Sequence, residues 1–193
     1  MNTKEDIAPL PSESDTLEGE PPQSPPLRLE YVEDGGDWAD LAAIEPMLAR
    51  VAAAIVSTPA LQARFAKPVE ATLALSSDAA VRVLNARYRQ QDKPTNVLSF
   101  PAGPVPHIPG ETVALGDIML ADGVVRHEAA ERAIPLADHI QHLIVHGVLH
   151  LLGYDHEAAA EAEIMEDLER QILASLGIDD PYRESQVSGK SDV

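Results

Sequence analysis

Three histidines fall within eleven residues of this chain, in HGVLHLLGYDH (146–156). Neutral imidazole nitrogens are common metal ligands, so the first chemistry to test is metal binding. Successive helix residues turn by about 100°, which puts His146 and His150 one turn apart on one face. His142 lies a turn before them, and His139 lies close to the same stripe. A straight helix cannot give His142, His146 and His150 to one ion. Eight residues rise roughly 12 Å, whereas zinc–nitrogen bonds are about 2.0–2.1 Å. The third ligand must come from chain that turns back. Gly153 stands where a left-handed residue ends a helix, and His156 follows the reversal. The pattern H-x3-H-x2-G-x2-H therefore assigns His146, His150 and His156 to one metal and leaves a fourth position for water, as in catalytic sites. His142 is left to support a ligand or to fill the core. Zinc is the first choice of metal, and imidazoles also suit nickel, copper and iron.

The same spacing occurs in the long zinc-protease motif H-E-x-x-H-x-x-G-x-x-H, with one departure. Gly147 stands where those proteases carry the glutamate that acts as general base. Peptide hydrolysis by that route loses its proton acceptor. A glycine inside a helix either makes room for a bulky substrate, such as a phosphodiester, or lets two elements pack closely.

The elements that must position these residues are legible in the pattern of apolar positions. LRLEYV (27–32), VEATLAL (69–75), NVLSF (96–100) and ALGDIML (114–120) read as strands. An Ala-rich helix is expected over 38–57. A second helix follows a Ser76 or Ser77 cap, with Val81, Leu84 and Tyr88 on one face. Three more are expected at about 122–133, 137–152 and 158–176, the last closed by Gly177. The stretch 101–112, rich in Pro and Gly, is a loop. These elements predict an α+β fold: a small mixed β-sheet packed with helices, and a metal-binding helix followed by a Gly turn. The 137–152 helix is apolar on nearly every side not occupied by histidine, so it is a buried one.

Length sets one domain, over 27–184. Residues 1–26 are acidic and Pro-rich and, like 185–193, cannot bury enough surface to offset the entropy of ordering. There are no cysteines among the 193 residues, which excludes disulfides, thiolate metal sites and a thiol nucleophile. The longest purely apolar run, Val51 to Val56, is far below the roughly 20 residues of a membrane span. A cytoplasmic protein with no membrane partner is the expectation. The formal charge of −18 argues against a broadly basic surface. It is unevenly spread. Arg64, Lys67, Arg82, Arg87, Arg89 and Lys93 face only Glu70, Asp78 and Asp92 in their window, a local excess of basic residues. That segment either forms a groove for phosphates or is ordinary solvated surface.

HGVLHLLGYDH closely resembles the signature of the YbeY family of bacterial endoribonucleases. LNARYRQQDKPTNVLSFP (84–101), LGDI (115–118) and LGIDDPY (176–182) resemble it too, so the likeness runs from about 27 to 184. The resemblance implies a compact α+β fold and one metal ion, taken as zinc, on His146, His150 and His156. It implies cleavage of single-stranded RNA in late ribosome maturation, at the 3′ end of the small-subunit ribosomal RNA, and in ribosome quality control. Ribosomal RNA and the small subunit or its proteins would be the partners. The family's functionally important arginine matches Arg89, which would clamp a phosphate and stabilise developing charge. Arg87 and Lys93 are its neighbours as substrate-binding candidates. Asp117, His142, Tyr154 and Asp155 are candidates to support the metal site, and Asn96 to cap or line the groove. Each also has a plainer role in turn or core. The rival functions are a metalloprotease-like hydrolase and a non-catalytic assembly factor with a structural metal.

Overall fold

The computed structural model describes residues 25–41, 43–103, 111–156 and 158–183. Residues 1–24 of the expected N-terminal tail, the expected C-terminal tail, most of the 101–112 loop and Glu157 lie outside them. Four strands, β1 (Leu27–Glu33), β2 (Val69–Ser76), β3 (Val97–Pro101) and β4 (Val113–Ala121), form one sheet in the order β1-β2-β4-β3. β1, β2 and β4 run parallel and β3 runs antiparallel to β4, so the sheet is mixed as expected. Five helices surround it: α1 (Ile44–Ser57), α2 (Asp78–Arg89), α3 (Asp122–Glu131), α4 (Leu136–Leu151) and α5 (Ala159–Leu176). A 3-10 turn, Pro59–Phe65, follows α1. Among the described residues no single helix is long and apolar enough to cross a membrane. Only α1 and this turn together pass that test, and they meet at 103°.

The central element is α4. Ile140, Leu143, Ile144, Val145, Val148 and Leu149 are buried in one core with Ile118 and Leu120 of β4, Ile55 of α1 and Ile172 of α5. A helix enclosed on nearly all sides by other elements keeps only its polar stripe for partners, and here that stripe is histidine. α2 lies on the other face of the sheet, where Val81 packs with Leu98 and Ala121 in a smaller cluster. Residues 118 and 121 of the same strand and turn thus serve opposite layers.

Two expectations are corrected. The first helix begins at Ile44, not Trp38. Starting at 38 would place Pro46 in the interior, where it removes a hydrogen bond and clashes with the preceding turn; in the first turn it is harmless. Trp38 instead anchors a loop, its indole N–H donating to the carbonyls of Gly35 (3.0 Å) and Ser76 (3.3 Å). On α2, Ser77 is the cap, accepting from the Ala80 N–H, and Val81 is buried. Tyr88 does not share that burial: it is 60% exposed, because the end of α2 overhangs an open part of the sheet.

Candidate metal centre

The C-terminus of α4 reverses through Gly153, whose φ of 89° belongs to the left-handed region. The Gly153 N–H donates to the His150 carbonyl and the Tyr154 N–H to the Leu149 carbonyl, both at 3.0 Å. This is the Schellman arrangement, which satisfies the last helix carbonyls while turning the chain back. His156 follows, its N–H held by the Asp155 carboxylate at 2.7 Å. One ligand atom from each of His146, His150 and His156 then lies within 4.8 Å of the other two.

Each helix imidazole is aimed by a bond at its rear. His146 Nδ1 meets Glu169 Oε1 at 2.7 Å, and His150 Nδ1 meets the Tyr154 carbonyl at 3.0 Å. Both acceptors call for an Nδ1–H donor, so each Nε2 is left as a lone pair. The two Nε2 atoms are 3.1 Å apart. Two ligands of one tetrahedral zinc, with bonds of about 2.0–2.1 Å, sit roughly 3.3 Å apart, so the donor set fits such an ion. Burial together with the neighbouring His146 and His156 lowers the pKa of His150, which favours the neutral ring that binds metal. His146 and His150 are half-buried and His156 is exposed, so solvent reaches the open side.

Glu169 was not anticipated. It is fully buried on α5 and also accepts from His142 Nε2 (3.1 Å) and from the Tyr182 hydroxyl. Burial alone pushes this carboxyl up, but the hydrogen bonds and charges of His142 and His146 outweigh it and hold the pKa down to about 2. Burial and the carboxylate drive the Tyr182 phenol up, keeping it a donor. A signal was present in the sequence: Met165, Leu168, Ile172 and Leu173 make the buried stripe of α5, and Glu169 sits inside it. A charged residue in an apolar stripe needs a partner.

The other candidates separate cleanly. His142 supports Glu169 and so touches the centre only through that carboxylate. His139 forms a second pair, Nε2 to Glu128 Oε2 at 2.8 Å, and Asn96 donates to the same oxygen at 3.0 Å. That pair ties α4 to α3 and to the start of β3. Tyr154 acts through its carbonyl; its ring packs on the core under Arg64, 5.7 Å from the ring centre. Asp155 supports the turn. Asp117 does not join the histidines: it lies on the α2 face of the sheet, lining a groove with Tyr88 and Phe100. Gly147 packs against β4. A Cβ there would come within 2.8 Å of Ile118 Cγ2, so the missing side chain serves helix–sheet packing and not a substrate. Arg87, Arg89 and Lys93 are exposed on and after α2, and no hydrogen bond or ion pair among the described residues joins them to the histidines.

The family model described as Endoribonuclease YbeY matches residues 39–177. Among curated proteins of that name, the one from Rhizorhabdus wittichii is 53% identical over 156 residues, covering 77% of this chain and 89% of the relative. That from Rhodospirillum rubrum is 49% identical over 175 residues, 86% of each chain. That from Sinorhizobium medicae is 44% identical over 161 residues, 81% of this chain and 95% of the relative. A solution structure of a Thermotoga maritima protein aligns at 20% identity with a TM-score of 0.46, over 86% of this chain and 96% of that one. On the family match and the identity to these relatives, this chain belongs to the YbeY endoribonuclease family.

Proposed function

We propose that the chain is a metal-dependent endoribonuclease that cuts single-stranded RNA in the cytoplasm during late ribosome maturation, at the 3′ end of the small-subunit RNA, and in ribosome quality control. The observation that carries this reading is the convergence of three imidazoles on one point, with the rear nitrogens of His146 and His150 fixed by acceptors. His146, His150 and His156 would hold the ion, zinc being the best match to a three-nitrogen set with an open position. When bound, the ion supplies Lewis-acid chemistry, polarising a phosphoryl oxygen and acidifying water.

The chain's own residues do the rest. Glu169, charged and buried, fixes the His146 ring and raises its basicity, and the Tyr154 carbonyl does the same for His150. Arg89, exposed and outside any ion pair among the described residues, clamps an RNA phosphate and offsets charge as it develops. Arg87 and Lys93 hold the strand. With Gly147 turned into Ile118, the helix offers no glutamate base of the protease type, which favours RNA over peptide.

The test is elemental analysis of the purified full chain beside cleavage of single-stranded RNA, wild type against Arg89→Ala. One metal ion per chain is expected in both. Cleavage by the variant should fall by about 10²–10³-fold, the loss seen when one preorganised donor to a developing charge is removed. Folded, metal-loaded wild type that leaves single-stranded RNA intact overturns the nuclease reading. Unchanged cleavage by the variant overturns the role of Arg89.

A further inference from the structure

The face of the sheet away from α4 is only half covered. α2 packs over Leu98 and Ala121, and beyond its C-terminus Val32, Asp34, Thr72, Tyr88, Phe100 and Asp117 line an open groove of about 570 Å³. Val32 and Tyr88 are 50% and 60% exposed, which is unusual surface for a chain this acidic. The tyrosine ring is nevertheless fixed. Phe100 meets it edge-on, with centroids 5.4 Å apart and planes at 68°, and the Arg87 guanidinium lies 5.4 Å from its centre. A held aromatic ring on an apolar floor, flanked by a guanidinium, is a stacking platform.

The charges around it are sorted. Arg87, Arg89 and Lys93 stand on and just after the end of α2. Glu33, Asp34 and Asp117 line the groove. Asp34 accepts from the Ser76 hydroxyl at 3.3 Å. Asp117 is exposed, its backbone is held in the β4 ladder, and its carboxylate enters no side-chain hydrogen bond among the described residues. Carboxylates inside repel a phosphate and accept from N–H groups. The Arg87 guanidinium beside the tyrosine ring does the reverse. A nucleotide has both halves: a flat base with N–H donors and an anionic linkage. Guanine suits a carboxylate best, because its adjacent N1–H and N2–H can both be accepted by one.

We propose that this groove holds one unpaired base of the RNA strand, guanine in preference, stacked on Tyr88 with its N–H edge on Asp117 and its phosphate at Arg87. The assignment rests on the RNA-cleaving function proposed above and adds an anchoring nucleotide on the sheet face opposite α4. It gives the protein a way to grip RNA despite its net charge, through the base as well as the backbone.

The test is fluorescence anisotropy with the full chain and a labelled eight-nucleotide 2′-O-methyl strand of abasic residues. One version carries a single guanine, one a single inosine base (lacking the N2 amino group), and one no base. Wild type should bind the guanine strand about tenfold more tightly than the base-free strand, within the range for loss of one stacking contact. Tyr88→Ala should remove that gain and Tyr88→Phe should keep it. Asp117→Asn should remove the preference for guanine over inosine while leaving the base-dependent gain. Equal binding of base-bearing and base-free strands by wild type overturns the groove assignment and leaves the nuclease reading standing. A base-dependent gain that survives Tyr88→Ala places the base elsewhere and also overturns it. No binding of any strand, together with no cleavage of natural single-stranded RNA, overturns both.

Discussion

Of the three histidine–carboxylate contacts on helix α4, two look alike on paper. His146 with Glu169 and His139 with Glu128 have contacts of 2.7 and 2.8 Å, and in each the carboxylate also accepts from a second side chain. The difference is where the other ring nitrogen goes. His146 Nε2 opens onto a point shared with His150 and His156. His139 Nδ1 is buried and has no partner. One pair aims a ring nitrogen at a site that could hold a metal, and the other pins α4 to α3 and β3. Chemistry follows from the free nitrogen and not from the pair.

The sharpest way to break this comparison is to delete each ring. His146→Ala should abolish metal binding, lowering content from one ion per chain to near zero by elemental analysis. His139→Ala should keep the ion and cost about 1–3 kcal/mol in urea unfolding, as Glu128 loses a partner. Loss of metal in the second variant would mean that the pairs are not separable. Next in size are the carboxylates. Glu169→Gln should weaken metal affinity by about 10–100-fold in competition with a chelator, because the ligand loses the group that orients it. Glu128→Gln should leave affinity unchanged. A smaller effect belongs to Gly147→Ala. Overpacking of about 1–3 kcal/mol, offset by about 1 kcal/mol of helix propensity, leaves a net loss of roughly 1 kcal/mol without change in metal content.

The smallest effect is the acid limb of stability. Burial pushes the Glu128 carboxyl up, but His139 and Asn96 outweigh it and hold its pKa below the ordinary carboxyl value. The folded form therefore binds its proton later than the unfolded chain does. The stability it contributes is present above the unfolded value and is lost as pH falls through the folded one. Glu128→Gln should flatten the fall in unfolding midpoint below about pH 4.5, the usual carboxyl range, relative to wild type.

The strand β4 shows why one site candidate was misplaced. Val113 and Leu115 pack on the main core, and so do Ile118 and Leu120. The alternation slips by one residue between them, at the register shift where Ala71 pairs with Gly116. Gly116 has a φ of 135°, and a Cβ there would come within 2.1 Å of the Phe100 carbonyl, so only glycine allows this bulge. Without the slip, Asp117 would face α4. With it, Asp117 faces Tyr88, and everything beyond the bulge changes side.

Local geometry was enough for the rest of the centre. The 3.6-residue period put His146 and His150 on one face, and Gly153 marked the reversal that brings His156 round, because these depend on neighbours within one turn. The family signature and the α+β pattern are local in the same sense. The oxygen behind His150 is local too, the Tyr154 carbonyl of the same turn, whereas which carboxylate stands behind His146 and which face Asp117 takes were settled only by the tertiary structure. Glu169 is twenty-three residues from His146 and meets it because α5 crosses α4. Tyr182 joins them from the chain after α5. Periodicity tells which side of a helix is buried, but the group lying opposite depends on how two helices dock, and no spacing within one segment encodes that.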